Sequence, residues 1–500
     1  MNTRNNPEIQ VTIKGIAILT GSDRKRLAER GYAEEVLPFG PDERTWGTRN
    51  FITVWMGPIH NILSYFTVVG FFAMGLSALQ VVAAILVAAV IVSLGYVLNG
   101  HAAARYGIPF AMQIRDTFGF RGAIFPAMIR GLVAGFVFFG LCTIASAQAL
   151  DIVLGKLFSG YSGIGGGATV AGLAIPTMIS YIIMTVITVF LYLSGQKLIG
   201  KFSSWASPMV WVLMVVGLIL ATRNAGGVSE VLRYHPVTGS DVGFIGFITC
   251  VSMLVSNWAG PIVNTGDLTR NAKSVSAPSI GFPVGMIVSY ILFAAVTISF
   301  MASLSAVSGG TVDINNPSIF VEAINSIGNP IIVILLILAM NVGATAFVVF
   351  GNMLPSGLQL TAQFPGFFNV RTGGMVAAIA GTLIFPWNFV ENTTMLFLFY
   401  SFIGSMFGPI VGIMLASYYF ERHRKLDINA IYSAHGEESN GDVNWRAVGV
   451  LIVSFIITMA GKLLPDIPVL AIINNCAFFC GIAIGFIGYL LVNTCKRSLI

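Results

Sequence analysis

Charge is scarce in this chain. Only 10% of its 500 residues are Asp, Glu, Lys or Arg, against about 25% in an ordinary soluble domain. So few charges cannot cover a water-facing surface, which excludes a soluble globular protein of this length. Short segments of alternating hydrophobicity are missing as well, which excludes a transmembrane β-barrel. Histidine is thin: His60, His101, His235, His423 and His435 are scattered, and no H-E-x-x-H occurs. An intramembrane metalloenzyme would therefore lack its ligands, and no G-x-x-x-x-G-K-[ST] offers a phosphate loop. Neither a metal nor a cofactor is expected. The first fifty residues hold no apolar core with a small-residue cleavage site, so no cleavable leader is expected and the N-terminus should stay in the cytoplasm. Of the five cysteines, Cys142, Cys250, Cys476 and Cys480 fall in apolar runs and Cys495 follows the last one. They read as small buried hydrophobes rather than disulfides.

What the chain has is apolar length. It is 56% hydrophobic with a mean hydropathy of +0.83, and runs of about 20 apolar residues, each long enough to span a bilayer as a helix, recur along it. The expectation is an all-α polytopic membrane protein with twelve spans. These cover roughly residues 51–75, 79–100, 121–150, 174–194, 202–222, 242–266, 280–303, 329–352, 373–390, 393–420, 446–463 and 468–493. With that topology 22 of the 27 Lys and Arg residues fall on the side of the termini, four on the other side, and Arg130 inside span three. The positive-inside rule then puts both termini in the cytoplasm. A cytoplasmic segment (1–50) leads into a ten-span core (51–420). A connector (421–445), two further spans (446–493) and a short tail (494–500) follow. The net charge of +6 belongs to this asymmetry and does not imply nucleic acid.

One stretch occurs twice. Trp55–Asn61 reads WMGPIHN and Trp258–Asn264 reads WAGPIVN. The first lies in span one and the second in span six, which run in opposite directions. A five-span offset with reversed direction is the signature of an inverted repeat, in which a discontinuous helix from each half meets its partner near the midplane. Pro removes a backbone donor and Gly permits strained dihedrals. The following Asn can bond the groups set free. Such broken backbone is tolerated at this depth only where it lines a cavity or is buried in protein. Phe138 and Phe139 in span three and Asn341 and Asn352 in span eight converge on the breaks. An aromatic ring near Trp258 with an amide suits a planar heterocycle, since stacking of a base on a ring is worth about 1–3 kcal/mol. His60 is a candidate proton carrier beside the first break. Asp267 is expected to cap or orient the inner part of span six, Arg130 to snorkel or pair, and Glu391 to be solvated at the outer end of span nine.

With ERTWGTRNF before span one, WMGPIHNILSY in it and NGHAAARYGIPFAMQIRDTFGFRGA into span three, the sequence resembles the bacterial nucleobase–cation symporters of the first class. NWAGPIVNTGDLTRNAKS, PWNFVEN and GPIVGIMLASYYF extend the likeness over roughly residues 30 to 495. Within that family it is most similar to the allantoin permeases. The resemblance implies a five-plus-five inverted repeat of the leucine-transporter type with two C-terminal helices, in the bacterial inner membrane, and a break in span one near Asn61 to Ser64. It implies a substrate held between rings on spans three and six, here Phe138 and Trp258. The position of a span-three Gln is taken by Cys142, a much weaker hydrogen-bonding group. Asn352, the backbone at Asn257 and Leu63 complete the carried-over site. The family's cation carbonyls fall on Ile59, Ile62 and Gly343. Its cation hydroxyls fall on Ala346 and Phe347, which have none, so proton coupling is favoured over sodium. Allantoin, a hydantoin, a purine or a pyrimidine are the candidate substrates, with an amino-acid or amine carrier on the same fold, an intramembrane enzyme and a nutrient sensor as the other readings. The only partners implied are the small heterocycle and the lipid bilayer, with no obligate protein partner.

Overall fold

A backbone N–H or C=O in hydrocarbon has no water to bond, so an apolar run folds as a helix that bonds its own backbone. The computed structural model describes residues 10–11, 14–19, 21–236, 242–310, 312–390, 392–433 and 442–497; Glu391 and His435 lie outside them. Among the described residues nine helices are long and apolar enough to cross a bilayer. They are Ala78–Tyr106, Ile124–Leu157, Ile175–Leu193, Ala206–Asn224, Ser276–Val307, Pro330–Gln363, Thr393–Glu421, Trp445–Leu463 and Ala477–Thr494. Three shorter apolar helices, Ile62–Ala73, Gly243–Asn257 and Val370–Leu383, fall on the runs expected as spans one, six and nine. The first two are short because the repeated stretch interrupts them.

Two of the long helices change pitch in the middle. Ile129–Ala134 and Val349–Met353 are π-helical, a widening that leaves some carbonyls unbonded and is frequent at functional sites. The helices containing them pack against one another, so the two widened turns face the same region.

Outside the spans the helical fold carries two small hairpins. Gln10–Val11 pairs with Ala17–Ile18, and Thr169–Val170 pairs with Leu173–Ala174, both antiparallel. The second hairpin turns on Ala171 (φ 52°) and Gly172 (φ 85°), and positive φ at both turn residues matches the twist of a two-residue hairpin.

The N-terminal segment and the connector after residue 421 pack together. Leu27, Val36, Met112, Leu358, Ile431 and Tyr432 share one small apolar core, and the Tyr432 hydroxyl donates to Val36 O at 2.5 Å. Arg44 fastens this layer to the bundle. Its guanidinium donates to the carbonyls of Ala17 (3.0 Å), Phe39 (3.1 Å), Ala104 (3.1 Å) and Arg105 (3.2 Å).

Candidate functional site

The two copies of the repeated stretch meet. Trp55 and Trp258, their first residues, pack edge to face with centroids 5.3 Å apart at 84°. In the first copy Pro58–His60 forms one 3-10 turn and Asn61 is extended (φ −76°, ψ 147°). The helix resumes at Ile62, so the break falls at the start of the Asn61–Ser64 stretch. Asn61 closes it: Oδ1 accepts from Ser64 N (2.9 Å), while Nδ2 donates to Pro58 O (2.7 Å) and Ser64 Oγ (2.8 Å). In the second copy the chain bends at Trp258 (φ −101°, ψ 1°), makes the short helix Ala259–Val263, and bends again at Asn264. The carbonyls released there are those of Ile262 and Val263. Both accept from Asn99 Nδ2 in the Ala78–Tyr106 helix, each at 2.8 Å. Asn99 was not singled out from the sequence, although an Asn in an apolar helix is the available signal.

An aromatic cluster surrounds Trp258. Besides Trp55 it touches Phe347 (5.2 Å, 67°) and Tyr290 (6.3 Å, 72°), pairs worth about 0.5–1.5 kcal/mol each beyond the area they bury. Phe138 belongs to a neighbouring cluster with Phe399 (5.3 Å) and Tyr400 (6.5 Å). No ring contact joins Phe138 to Trp258 directly among the described residues. A polar chain links the clusters instead. Tyr400 OH donates to Asn257 Oδ1 (3.2 Å) and pairs with Thr67 Oγ1 (2.9 Å); Asn257 Nδ2 donates to Ser64 Oγ (3.0 Å). It is therefore the Asn257 side chain, beyond the expected backbone, that faces this junction. Leu63 O accepts from Thr67 Oγ1 at 3.0 Å. Leu63, Phe138, Cys142, Asn257, Trp258 and Asn352 are each at most 1% exposed, so the region is closed to both sides. Several polar atoms in it find no partner among the described residues: Trp55 Nε1, Trp258 Nε1, Tyr290 OH and both amide atoms of Asn352. Buried polar groups are normally satisfied, and those left open here are groups a ligand would meet.

The expected cation set is arranged differently from a ligand cage. Gly343 lies so close to the first break that a Cβ there would stand 2.6 Å from Gly57 O and 3.7 Å from His60 O. Only glycine permits that approach. Ile59 and Ile62 flank the break, fully buried. Ala346 carries only a methyl. Phe347 puts its ring on Trp258 and Trp55. Thr345, the neighbouring hydroxyl, donates to Asn341 O at 2.8 Å and is occupied in its own helix. His60 Nδ1 is 2.6 Å from Tyr65 OH.

Beside the second break, Arg130 does not snorkel. It is fully buried and donates through Nε to Gly260 O (3.1 Å) and Asn264 Oδ1 (2.9 Å), and through Nη2 to Gly351 O. Asp267 accepts from Asn264 Nδ2 (3.1 Å) and from Phe110 N (2.9 Å). It thereby orients the end of the broken helix after the second break, tying it to the start of Phe110–Phe118. Beyond it opens a cavity of about 330 Å³ bordered by Glu34, Glu35, Asp267, Arg270, Phe350 and Leu354.

Long apolar helices around a buried, broken-helix junction define a multi-pass membrane protein. The family model described as permease for cytosine/purines, uracil, thiamine and allantoin matches residues 38–488, and the chain belongs to that family of membrane transporters. It is 32% identical over 479 residues to a putative allantoin permease of Escherichia coli K12, covering 95% of this chain and 97% of that one. It is 30% identical over 465 residues to an allantoin permease of Bacillus subtilis 168, covering 92% of each. Mhp1, a nucleobase-cation-symport-1 family transporter solved in a closed conformation with bromovinylhydantoin bound, shares the fold. Its TM-score is 0.75 at 21% identity, over 93% of this chain and 96% of that one.

Proposed function

We propose that this chain imports allantoin or a closely related hydantoin or nucleobase across the bacterial inner membrane, as a proton-coupled symporter. Twelve spans with both termini in the cytoplasm form a five-plus-five inverted repeat and two additional helices. The solute sits between Phe138 and Trp258, bonded by Asn352 and by groups at the two breaks, while the halves rock around it. The observation that carries this reading is the buried junction of the two broken helices, where Trp258 Nε1 and the Asn352 amide have no partner among the described residues. The allantoin permeases of E. coli and B. subtilis to which the chain is similar supply the solute class. Ala346 and Phe347 supply the argument against sodium, which needs several oxygen ligands. His60, bonded to Tyr65 beside the first break, is the proton carrier of this scheme.

The test is uptake of radiolabelled allantoin, hydantoin, uracil and hypoxanthine by cells expressing the chain, with and without sodium and with a protonophore. Uptake of one heterocycle that is abolished by Trp258→Ala, collapses with the protonophore and ignores sodium is the expected result. Sodium dependence refutes the coupling assignment, and no uptake of any of the four refutes the solute class.

A further inference from the structure

Arg130 sits fully buried inside an apolar helix. A charge at such a depth needs partners and marks a functional position by default. The partners it has are all neutral: the carbonyls of Gly260 and Gly351 and the amide oxygen of Asn264. No carboxylate comes within ion-pair distance of it among the described residues; Asp267, whose charge acts on it from farther off, is bonded to it through Asn264. The Nη1 group has no partner there at all. Immediately after Gly351 comes Asn352, whose two amide atoms are likewise unpartnered and buried. The π-helical turns Ile129–Ala134 and Val349–Met353 bring Arg130 against Gly351, the residue before this amide. The Phe347 ring lies over Gly351, 3.6 Å from where a Cβ there would stand, and against Trp258. The free guanidinium group therefore lies on the inner border of the aromatic junction.

Building on the transport reading above, we propose that Arg130 is a specificity-determining residue that binds the solute directly. Its Nη1 hydrogens take an oxygen on the solute's edge beside the Asn352 amide. The site then selects heterocycles whose edge is made of carbonyls or an ionised imide and rejects those that present an exocyclic amine. The reason is donor arithmetic. A guanidinium has donors only, whereas the Asn352 amide can turn to offer either. An amine facing Nη1 sets donor against donor and leaves both buried and unpaired. A site that rejects by unpaired polar groups discriminates far more strongly than one that rejects by shape.

The experiment measures inhibition of labelled allantoin uptake by hydantoin, uracil and xanthine, which are carbonyl-edged, and by adenine and cytosine, which carry amines. It uses the wild type, Arg130→Lys, Arg130→Met and Asn264→Ala. The wild type should be inhibited by the carbonyl-edged compounds at concentrations at least tenfold lower. Arg130→Met should raise KM for allantoin at least tenfold and bring that selectivity close to one. Arg130→Lys, still a pure donor, should retain part of it. Asn264→Ala removes an acceptor of the clamp but leaves Nη1, and should keep the selectivity. If Arg130→Met lowers only the maximal rate and leaves the selectivity intact, Arg130 is a structural clamp and the proposal is overturned. Should neither Arg130 variant reach the membrane, the wild-type series decides: a carbonyl preference supports the proposal and equal inhibition by adenine overturns it. Uptake of no heterocycle by the wild type overturns the transport reading and this assignment with it, whereas uptake with a selectivity indifferent to Arg130 overturns this assignment alone.

Discussion

Tyr400→Phe removes a single oxygen from the junction of the broken helices. That oxygen is fully buried and lies 3.2 Å from Asn257 Oδ1 and 2.9 Å from Thr67 Oγ1. The protons can be allotted. Asn257 spends an N–H on Ser64 Oγ, and its Oδ1 depends on the tyrosine. Thr67 has an alternative acceptor in Leu63 O at 3.0 Å. Losing the hydroxyl therefore leaves Thr67 bonded and Asn257 Oδ1 without a donor. An orphaned buried acceptor costs about 1–3 kcal/mol, or roughly 5- to 150-fold at about 1.4 kcal/mol per tenfold. If the Asn257 amide belongs to the solute site, that loss appears in the dissociation constant. The assay is a double-mutant cycle of Tyr400→Phe and Asn257→Ala on purified protein, with solute binding followed by the fluorescence of the site tryptophans and thermal melts run in parallel. The double variant should bind no worse than Asn257→Ala alone, with a coupling of about 0.5–3 kcal/mol. Additive losses, with a coupling below about 0.3 kcal/mol, would refute the claim that Tyr400 acts through Asn257.

The other predictions concern stability and the first break. Asp116 lies in Phe110–Phe118, between two of the long helices. Burial pushes its carboxyl from 3.8 up to about 6, although Arg422 3.4 Å away favours the charged form. A raised acid contributes stability that is fully present below pH 3.8 and lost as pH rises through about 6. The loss is about 3 kcal/mol at 1.36 kcal/mol per pKa unit. The difference in melting between wild type and Asp116→Asn should therefore grow from pH 4 to pH 7 in favour of the variant; a difference independent of pH would contradict this. Gly343→Ala places a methyl against Gly57 O. It should cost about 1–3 kcal/mol as overpacking does and lower uptake, whereas a variant that melts and transports like wild type would show that the Pro330–Gln363 helix does not approach the first break that closely. Arg44→Met removes four donations that hold the N-terminal layer, and limited proteolysis should then cut within the first fifty residues faster than in wild type.

The long helices were legible because an apolar run of that length has no other way to satisfy its backbone. The broken helices were legible because Gly and Pro repeat at the same spacing, and Trp55 against Trp258 is the contact that repetition implies. The hairpin at Thr169–Ala174 was not, since two-residue strands are too short to show an alternation. The N-terminal layer was not, since its core draws Leu27, Met112, Leu358 and Tyr432 from distant parts of the chain. Tyr400 is 143 residues from Asn257, and no local pattern connects them.

The deeper limit concerns what a sequence records about a membrane interior. Asn61, Asn99 and Arg130 are polar letters within or beside apolar runs, and each visibly needs something to bond. What they bond is Pro58 O, Ile262 O, Val263 O, Gly260 O and Gly351 O. Every residue has a carbonyl, so its identity says nothing about whether that carbonyl is free. Freedom comes from the break or the π turn, and Gly and Pro stand at both, Gly57 and Pro58 in one and Gly351 with Pro355 in the other. The donors of this site can thus be read from the letters, while the acceptors are properties of the backbone path. Val349–Met353 illustrates this: Pro355 has no N–H to return to Gly351 O four residues earlier, and that carbonyl, next in the chain to Asn352, accepts from Arg130 instead.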